Sequence, residues 1–338
     1  MQAPLGDWTS ESPILPLVSV IVTSYTRQRT RDVAQLLDTL QIQSYSKMEI
    51  VLVIEGTMEH FRDLQSYIQE KGMSNVRLLF PSNSQGGLSA ARNLGARESR
   101  GGIIAFVDDD VLVSARWAEE LAGTFQDDSV VGVTGPALPL WESRSMDWLP
   151  EELMWLFGST VWYSAKGKSD TRHAWGMNMA FRREAFDLCG GFSTAHGLIG
   201  GRLVGSQEDV EFSLRMKRRS GKRILYNPSM IVYHKVDASR LRWSFIFERA
   251  YSMGHAKRRI SIWLPSETGV ASLSREYNLL RRIVTHLVPN ILGEFPKNPA
   301  RAWRRFFATV LVLLLATVGY LTPVLVYDTV LAKISRGR

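Results

Sequence analysis

Apolar and polar positions follow two rhythms along the first hundred residues, and each rhythm predicts an element. Short apolar runs rich in β-branched residues fall at Leu17–Thr23 (LVSVIVT), Glu49–Ile54 (EIVLVI), Val76–Phe80 and Ile103–Val107. Runs of that length predict strands, with Glu49–Ile54 and Ile103–Val107 expected to be buried. Between them the apolar residues recur at helical spacing. Val33, Leu36, Leu37 and Leu40 share one face of a helix over Asp32–Gln43. Met58–Lys71 predicts a second helix stopped by Gly72, and Leu88 to about Ser99 a third opened by Gly86-Gly87. Strands alternating with helices predict βαβ units, a mostly parallel central sheet and right-handed crossovers.

The second half is less regular. Val130–Thr134 predicts a strand, Met146–Phe157 an aromatic-rich segment with Pro150 ahead of a short helix, and Trp175–Phe181 a strand with a turn. A short helix over Arg183–Leu188 is closed by Gly190-Gly191. Gly197–Gly205 is a glycine-rich loop, and Glu208–Ser220 an amphipathic helix closed by Gly221. Two short strands, Arg223–Tyr226 and Met230–His234, flank Asn227-Pro228. From Phe306 to Tyr327 the chain carries no charge, and 22 residues are long enough to span a bilayer. Basic residues flank both ends, so charge does not orient the segment, and Gly319 and Pro323 allow a kink or a re-entrant path. The expected layout is a leader (1–16), a catalytic domain (17–239), a basic and aromatic membrane-proximal region (240–305), a membrane helix (306–327) and a basic tail (328–338).

Composition narrows the class. With 45% hydrophobic and 22% charged residues the chain has material for a sizeable core. The net charge of +8 asks for an anionic partner, whether lipid, nucleotide or nucleic acid. The excess gathers beyond Arg215, beside the apolar segment and among Trp243, Trp263 and Trp303. That mixture suits a membrane interface better than a nucleic-acid stripe, so no nucleic acid is expected. Cys189 is the sole cysteine, which excludes an internal disulfide and a cysteine metal site. Met1–Pro16 has neither a basic start nor an apolar core, so no secretory signal is expected.

The strand Ile103–Val107 runs straight into Asp108-Asp109-Asp110. Ligands of open α/β sheets bind beyond the carboxyl ends of strands. If the chain stays extended, Asp108 and Asp110 face one way and Asp109 the other. Paired carboxylates of that kind suit Mg²⁺ or Mn²⁺ bridging to phosphate; the plainer reading is an acidic turn. Three further loops converge on the same edge, carrying Thr23 and Tyr25, then Glu55, then Arg92. A carboxylate there can accept from a ribose or a base, Tyr25 can pack on a base, and Arg92 can reach base or diphosphate. Glu208-Asp209 opens the helix that follows the glycine-rich loop. Asp209 is either a helix cap or a general base. His234, at a strand end, is either structural or a metal ligand.

Taken together, VSVIVTSY, EIVLVIEG, GGLSAARNLGA, GGIIAFVDDDV, WGMNMAFRREAF, GGF and QEDVEFSLRMKRRSGKRILYNPSMIVYHK resemble glycosyltransferase family 2 over about two thirds of the chain. The resemblance implies the GT-A fold, a Rossmann-like α/β architecture, and inverting transfer from a nucleotide sugar. It implies that Asp108 and Asp110 hold the metal, with His234 beside them, and that Asp109 is the intervening position. Thr23, Tyr25, Glu55 and Arg92 would bind the nucleotide, with Glu55 standing where the family usually has Asp on uridine. Asp209 would be the base with Glu208 beside it, and Trp175 and Asn178 would lie on the acceptor side. Gln207 receives no role. WLPEELMWLFGST and the YHK ending are most similar to archaeal enzymes that extend dolichyl-phosphate-linked sugars, including those transferring glucuronic acid.

The expectation is a metal-dependent (Mn²⁺ or Mg²⁺) enzyme that uses a UDP-sugar and a lipid-linked acceptor at a membrane, its catalytic domain cytoplasmic. Direct transfer to a polyprenyl phosphate is the alternative within the class. A nucleotidyltransferase would need a glycine-rich triphosphate loop after the first strand, which this sequence lacks. A non-catalytic scaffold would be free to lose Asp108, Asp110 and Asp209.

Overall fold

The computed structural model describes residues 16–81, 87–146, 148–163, 165, 167–194, 197–199, 202–204, 207–263 and 274–323. The expected leader, apart from Pro16, and the basic tail lie outside them. The first half follows its hydrophobic pattern closely. Strands β1 (Val18–Ser24), β2 (Met48–Ile54), β3 (Val76–Leu79) and β4 (Ile103–Asp108) alternate with helices α1 (Thr30–Gln41), α2 (Met58–Glu70) and α3 (Gly87–Glu98). Val33, Leu36, Leu37 and Leu40 of α1 are all buried, as their spacing requires. Each such side chain contributes roughly 1.5–3 kcal/mol on burial. Gly95 lets α3 lie close on the sheet, since a Cβ there would stand 2.4 Å from Ile21 Cγ2. That approach seats Arg92, one turn earlier, over the end of β4.

After β4 come β5 (Val111–Val113), α4 (Trp117–Thr124), β6 (Val130–Thr134), β7 (Ala137–Trp141), β8 (Ser169–Asp170), β9 (Asn178–Arg182) and α5 (Arg183–Cys189). Next are β10 (Gly197–Ile199), β11 (Arg202–Val204), α6 (Glu208–Ser220), β12 (Arg223–Tyr226) and β13 (Val232–Val236). The main sheet has eight strands in the order β3-β2-β1-β4-β9-β6-β12-β8. It is mostly parallel, but β9 runs antiparallel between β4 and β6, and β8 antiparallel to β12. The reversal of β9 matters for the site. Its first residue, Asn178, lies opposite Val107, so the segment entering β9 arrives at the carboxyl end of β4.

A second sheet, β5-β13-β7, was not apparent in the sequence pattern. It forms because the chain turns at Asp109-Asp110 and re-enters as β5, which pairs with β13 so that Val111 faces His234. The expected glycine-rich loop contains the antiparallel pair β10–β11. The segment after Pro150 is a short 3-10 helix over Glu151–Phe157, ended by Gly158 in the left-handed region.

Beyond β13 lie α7 (Trp243–Trp263), α8 (Ser274–Arg282), a π-helical stretch (Ile283–Leu287), α9 (Val288–Glu294) and α10 (Pro299–Leu321). By length and composition α10 is the one described helix able to cross a membrane. It ends at Leu321, where Thr322 turns extended ahead of Pro323, and residues 324–327 of the expected membrane helix lie outside the described residues. Proline disfavours helix at the residue before it and lacks the amide to continue one.

Candidate active site

Register aligns the loops at one edge. Thr23 sits opposite Asp108, and Ser24 opposite Ile54, just ahead of Glu55. The start of β9 and the first turn of α6 close the edge from the other side.

Arg92 is the hub. Its side chain is 3% exposed, yet it carries a full charge. Nη2 donates to Asp108 Oδ1 at 2.9 Å, Nη1 to Glu208 Oε1 at 3.0 Å, and Nη2 also to the Gly176 carbonyl at 3.3 Å. The Phe192 ring lies 5.6 Å from the guanidinium. The Gly176 amide in turn donates to Asp209 Oδ2 at 2.9 Å. One guanidinium therefore ties the end of β4, the entry to β9 and the start of α6 together. Gly176 is suited to its place, because a Cβ would stand 3.2 Å from Arg92 Nη2. Arg92 is thus not open to a base or diphosphate, contrary to expectation; two carboxylates and a carbonyl already occupy it.

Asp209 is held differently from Glu208. Its Oδ1 accepts from the Val210 amide at 2.8 Å. Burial, and then the adjacent Glu208 carboxylate, push its pKa up to about 6, against the Gly176 amide and Arg92. A carboxylate that titrates near neutrality is suited to proton transfer. Gln207, just before the pair, has φ 128°, the only positive φ among the described non-glycine residues. Strain at such a position gathers at functional sites.

The three aspartates diverge. Asp108 turns to Arg92. Asp109 accepts from Ser24 Oγ at 2.6 Å, and Ser24 Oγ lies 3.1 Å from Nε2 of the buried His60. Burial, with Asp110 next to it, raises the Asp109 pKa to about 7. Asp110 lies 3.4 Å from His234 Nε2, 3.0 Å from Arg240 Nη2 and 3.3 Å from Arg29 Nη1. Burial works to raise its pKa, but His234, Arg240 and Arg29 overcome this and hold the carboxyl well below the usual range. Asp108 and Asp110 take different partners, although the charges of Asp110 and His234 still act on Asp108. The i, i+2 rule needs an extended chain, and the backbone turns at Asp109-Asp110.

His234 and Asp110 are brought together as expected. Among the described residues no three His, Cys, Asp or Glu side chains are grouped to hold a metal. Two protein donors still fit a hard divalent cation, which commonly takes one or two carboxylates and fills its shell with water and substrate phosphate. The nitrogen that faces Asp110 is Nε2, which also lies 3.3 Å from Arg240 Nη1, while the unpartnered Nδ1 of this buried imidazole lies toward Gly158.

The remaining expectations divide. Asn178 is 0% exposed and fully engaged: it accepts from Trp117 Nε1 and donates to the Pro136 and Met230 carbonyls. It is a core strut and not an acceptor contact, because β9 is a central strand. Trp175 packs edge-on against Tyr163 and Tyr226, half-buried beside the site. Glu55 accepts from the Gly87 amide at the start of α3, and burial raises its pKa. Tyr25 is 54% exposed at the mouth of the site, and Thr23 is half-buried below it.

Four contributors escaped sequence reasoning. Arg29 and Arg240 bracket Asp110, and Asp237 joins both of them at 3.9 and 3.3 Å. Gly176 acts through its backbone. Nothing in the periodicity marks Arg29. Arg240 stood at the edge of a basic region that pointed to lipid.

The architecture and the paired acidic centres define a GT-A glycosyltransferase fold. Residues 19–189 match the profile described as Glycosyl transferase family 2, and the chain belongs to that family. It is 27% identical over 318 residues to a glucosyl-dolichyl phosphate glucuronosyltransferase of Haloferax volcanii, covering 92% of this chain and 99% of that one. It is 23% identical over 244 residues to the succinoglycan biosynthesis protein ExoM of Rhizobium meliloti, covering 72% and 74% of the two chains. Among solved structures it resembles the mannosyltransferase PcManGT from Pyrobaculum calidifontis in complex with GDP-Man and Mn²⁺. That likeness has TM-score 0.57 and 20% identity, over 90% of this chain and 87% of the other. Glu208, Asp209 and His234 lie beyond the family profile, in a stretch that the Haloferax relative spans.

Proposed function

We propose that this protein is an inverting glycosyltransferase that moves a hexose or hexuronic acid from a UDP-sugar to a lipid-linked sugar acceptor. The observation that carries the reading is the Arg92 bridge. It fixes a carboxylate with a pKa of about 6, Asp209, a short chain of hydrogen bonds away from the acidic turn at the end of β4.

Asp209 takes the proton from an acceptor hydroxyl. The hydroxyl oxygen bonds to the anomeric carbon as the bond from that carbon to the diphosphate oxygen breaks. The electron pair leaves with the diphosphate, and attack from the opposite face inverts the configuration. Arg92 keeps Glu208 and the Gly176 amide in place, so Asp209 needs no reorganisation as the proton moves. Asp110 and His234, with Asp108 near, would hold a divalent cation, which when bound neutralises charge on the departing diphosphate. Tyr25 and Glu55 stand at the mouth where a nucleoside would lie. The Haloferax relative, by its name, acts on glucosyl-dolichyl phosphate, and its match along nearly the whole chain supports an acceptor of that kind here.

The test is a panel of UDP- and GDP-sugars with the detergent-held protein, given Mn²⁺, Mg²⁺ or chelator, alongside Asp209→Asn. Turnover of one UDP-sugar with cation, lost in the variant, is the expected result. Near-normal turnover by a folded Asp209→Asn protein would overturn the assignment.

A further inference from the structure

The apolar segment at the end of the chain invites a spanning helix, but its packing points elsewhere. The uncharged part of α10 runs from Phe306 to Leu321, where the helix stops. The whole helix is long and apolar enough to cross a bilayer, but those sixteen residues rise only about 24 Å, so spanning a core of roughly 30 Å would draw the turn that carries Arg304 and Arg305 toward lipid. The helix also does not stand alone. α7 lies along it in intimate contact: a Cβ on Gly254 would stand 1.9 Å from the Ala316 carbonyl oxygen, and one on Gly319 2.0 Å from that of Tyr251. Tyr251 Oη donates to Thr322 Oγ1 at 3.0 Å. A spanning α10 would carry α7 into lipid with it, and α7 bears Glu248, Arg249 and the run Lys257-Arg258-Arg259. Charged side chains at that depth cost several kcal/mol each.

What α10 does present is one apolar stripe. Trp303, Phe307, Leu314, Val318 and Leu321 are all about half exposed or more, at spacings that keep them on one face. Ala302, Ala308, Val312 and Gly319, on the opposite face, are buried. A second stripe, Leu280, Val284, Val288 and Leu292, follows α8 and α9 at intervals of four, while Ile283, Leu287 and Ile291 point inward. The two stripes join where Phe295 packs edge-on against Trp303, ring centroids 5.1 Å apart. Exposed apolar surface of this extent marks an interaction site.

Charge identifies the partner. Arg281, Lys297, Arg301 and Arg304 are exposed around the stripes, and none has a carboxylate partner among the described residues. Arg301 and Arg304 line a cavity of about 440 Å³ with Ser145, Trp148 and Ala300, and the Arg304 guanidinium lies 4.2 Å over the Trp148 ring. An apolar face rimmed by unpaired cations and tryptophan complements an anionic lipid surface.

We infer that α8, α9 and α10 form a monotopic seat: the protein lies on one leaflet of an anionic membrane, embedding the two stripes, with lipid phosphates at Arg301 and Arg304. On this reading no described helix crosses the bilayer, so the catalytic domain and the carboxyl end of α10 are on the same side. This holds whichever sugar the site transfers.

The test uses the full chain and preformed vesicles, with nucleotide-sugar binding as a check that the catalytic domain is intact. Flotation with vesicles of phosphatidylcholine plus phosphatidylglycerol should exceed that with phosphatidylcholine alone. Arg301→Glu with Arg304→Glu should weaken the anionic partition by at least about fivefold per arginine, and Phe307→Asp with Leu314→Asp should abolish it. In a Cys189→Ala background, Ser129→Cys and Pro323→Cys, the latter just past α10, should react with an impermeant maleimide from the same side of the vesicle. Reaction from opposite sides would overturn the inference, as would dimerisation through this face without vesicle binding.

Discussion

Replacing Arg92 by methionine tests whether the hub bears load. Its two carboxylate partners differ in exposure: the Asp108 side chain is 33% exposed and Glu208 10%. Water can take over at Asp108 once the guanidinium is gone. Glu208 has no such relief, and removing one partner of a buried ion pair costs about 3–5 kcal/mol. Most of the loss should therefore trace to Glu208. Adding Glu208→Gln removes the stranded charge, so the double variant should be more stable than Arg92→Met alone, with a coupling energy of about 1–3 kcal/mol. Arg92→Lys should fall between, because an ammonium cannot fork to two carboxylates. Denaturant unfolding followed by tryptophan fluorescence reads the parent, Arg92→Met, Glu208→Gln, the double variant and Arg92→Lys. A loss below about 1 kcal/mol in Arg92→Met, or strict additivity in the double variant, would refute the reasoning. Either result would leave the bridge a bystander to the arrangement of Asp209.

Three further outcomes are expected. Asp209→Asn should lower kcat by about 10²–10⁴-fold with folding intact, as loss of a general base does. The active form is the carboxylate and its pKa is about 6, so kcat/KM should climb as pH rises through that value. A flat profile from about pH 5 to about pH 7.5 would remove Asp209 from the role. Asn178→Leu should cost about 2–4 kcal/mol by stranding the Trp117 Nε1 donor and two carbonyls, while nucleotide affinity, measured by titration calorimetry, stays unchanged. Melting temperatures should rank Gln207→Gly at or above the parent and Gln207→Val below it, since a β-branched residue at φ 128° adds strain that glycine lacks; the reverse order would mean the φ is not strained.

Elements with local causes were legible in the sequence. The α1 stripe, the buried strands β1, β2 and β4, the edge strand β3 and the helix from Glu208 to Ser220 followed from spacing and glycine stops alone, and Asp110 and His234 did come together. What failed was long-range. Asp108 and Asp110 diverge because the chain turns to found a second sheet, and no rhythm in Val111–Val113 announces a three-residue strand. Asn178 looked like a polar residue near a site. Only its place in a central strand, opposite Val107, shows that its amide serves the core. Arg29 and Arg240 are 211 positions apart and meet through Asp110 and Asp237. Composition in the α7–α10 region announced a membrane, but whether an apolar helix crosses or lies flat depends on which neighbour packs along it.

The charge count at the site leads to a last prediction. Asp108, Asp109, Asp110, Glu208 and Asp209 face Arg29, Arg92 and Arg240, and all three guanidiniums already pair with carboxylates of this set. Counting outward adds Asp32 and Asp237 against Lys235. Even with Asp109 partly protonated near neutrality, the cluster is net negative. A nucleoside diphosphate brings more negative charge to it. One unit pair at about 4 Å interacts by roughly 4 kcal/mol at an effective dielectric of 20, so unrelieved repulsion would weaken donor binding by well over tenfold. A divalent cation at Asp110 and His234 would cancel about two of those charges and attract the diphosphate directly. Donor affinity, and not turnover alone, should therefore drop more than about tenfold with chelator and recover with Mn²⁺ or Mg²⁺. Asp110→Asn should blunt that response, since the neutral amide weakens the hold on the cation and leaves Arg29 and Arg240 free to meet the diphosphate directly. Affinity unchanged by chelator within about twofold would mean that the arginines release Asp110 and take the diphosphate themselves.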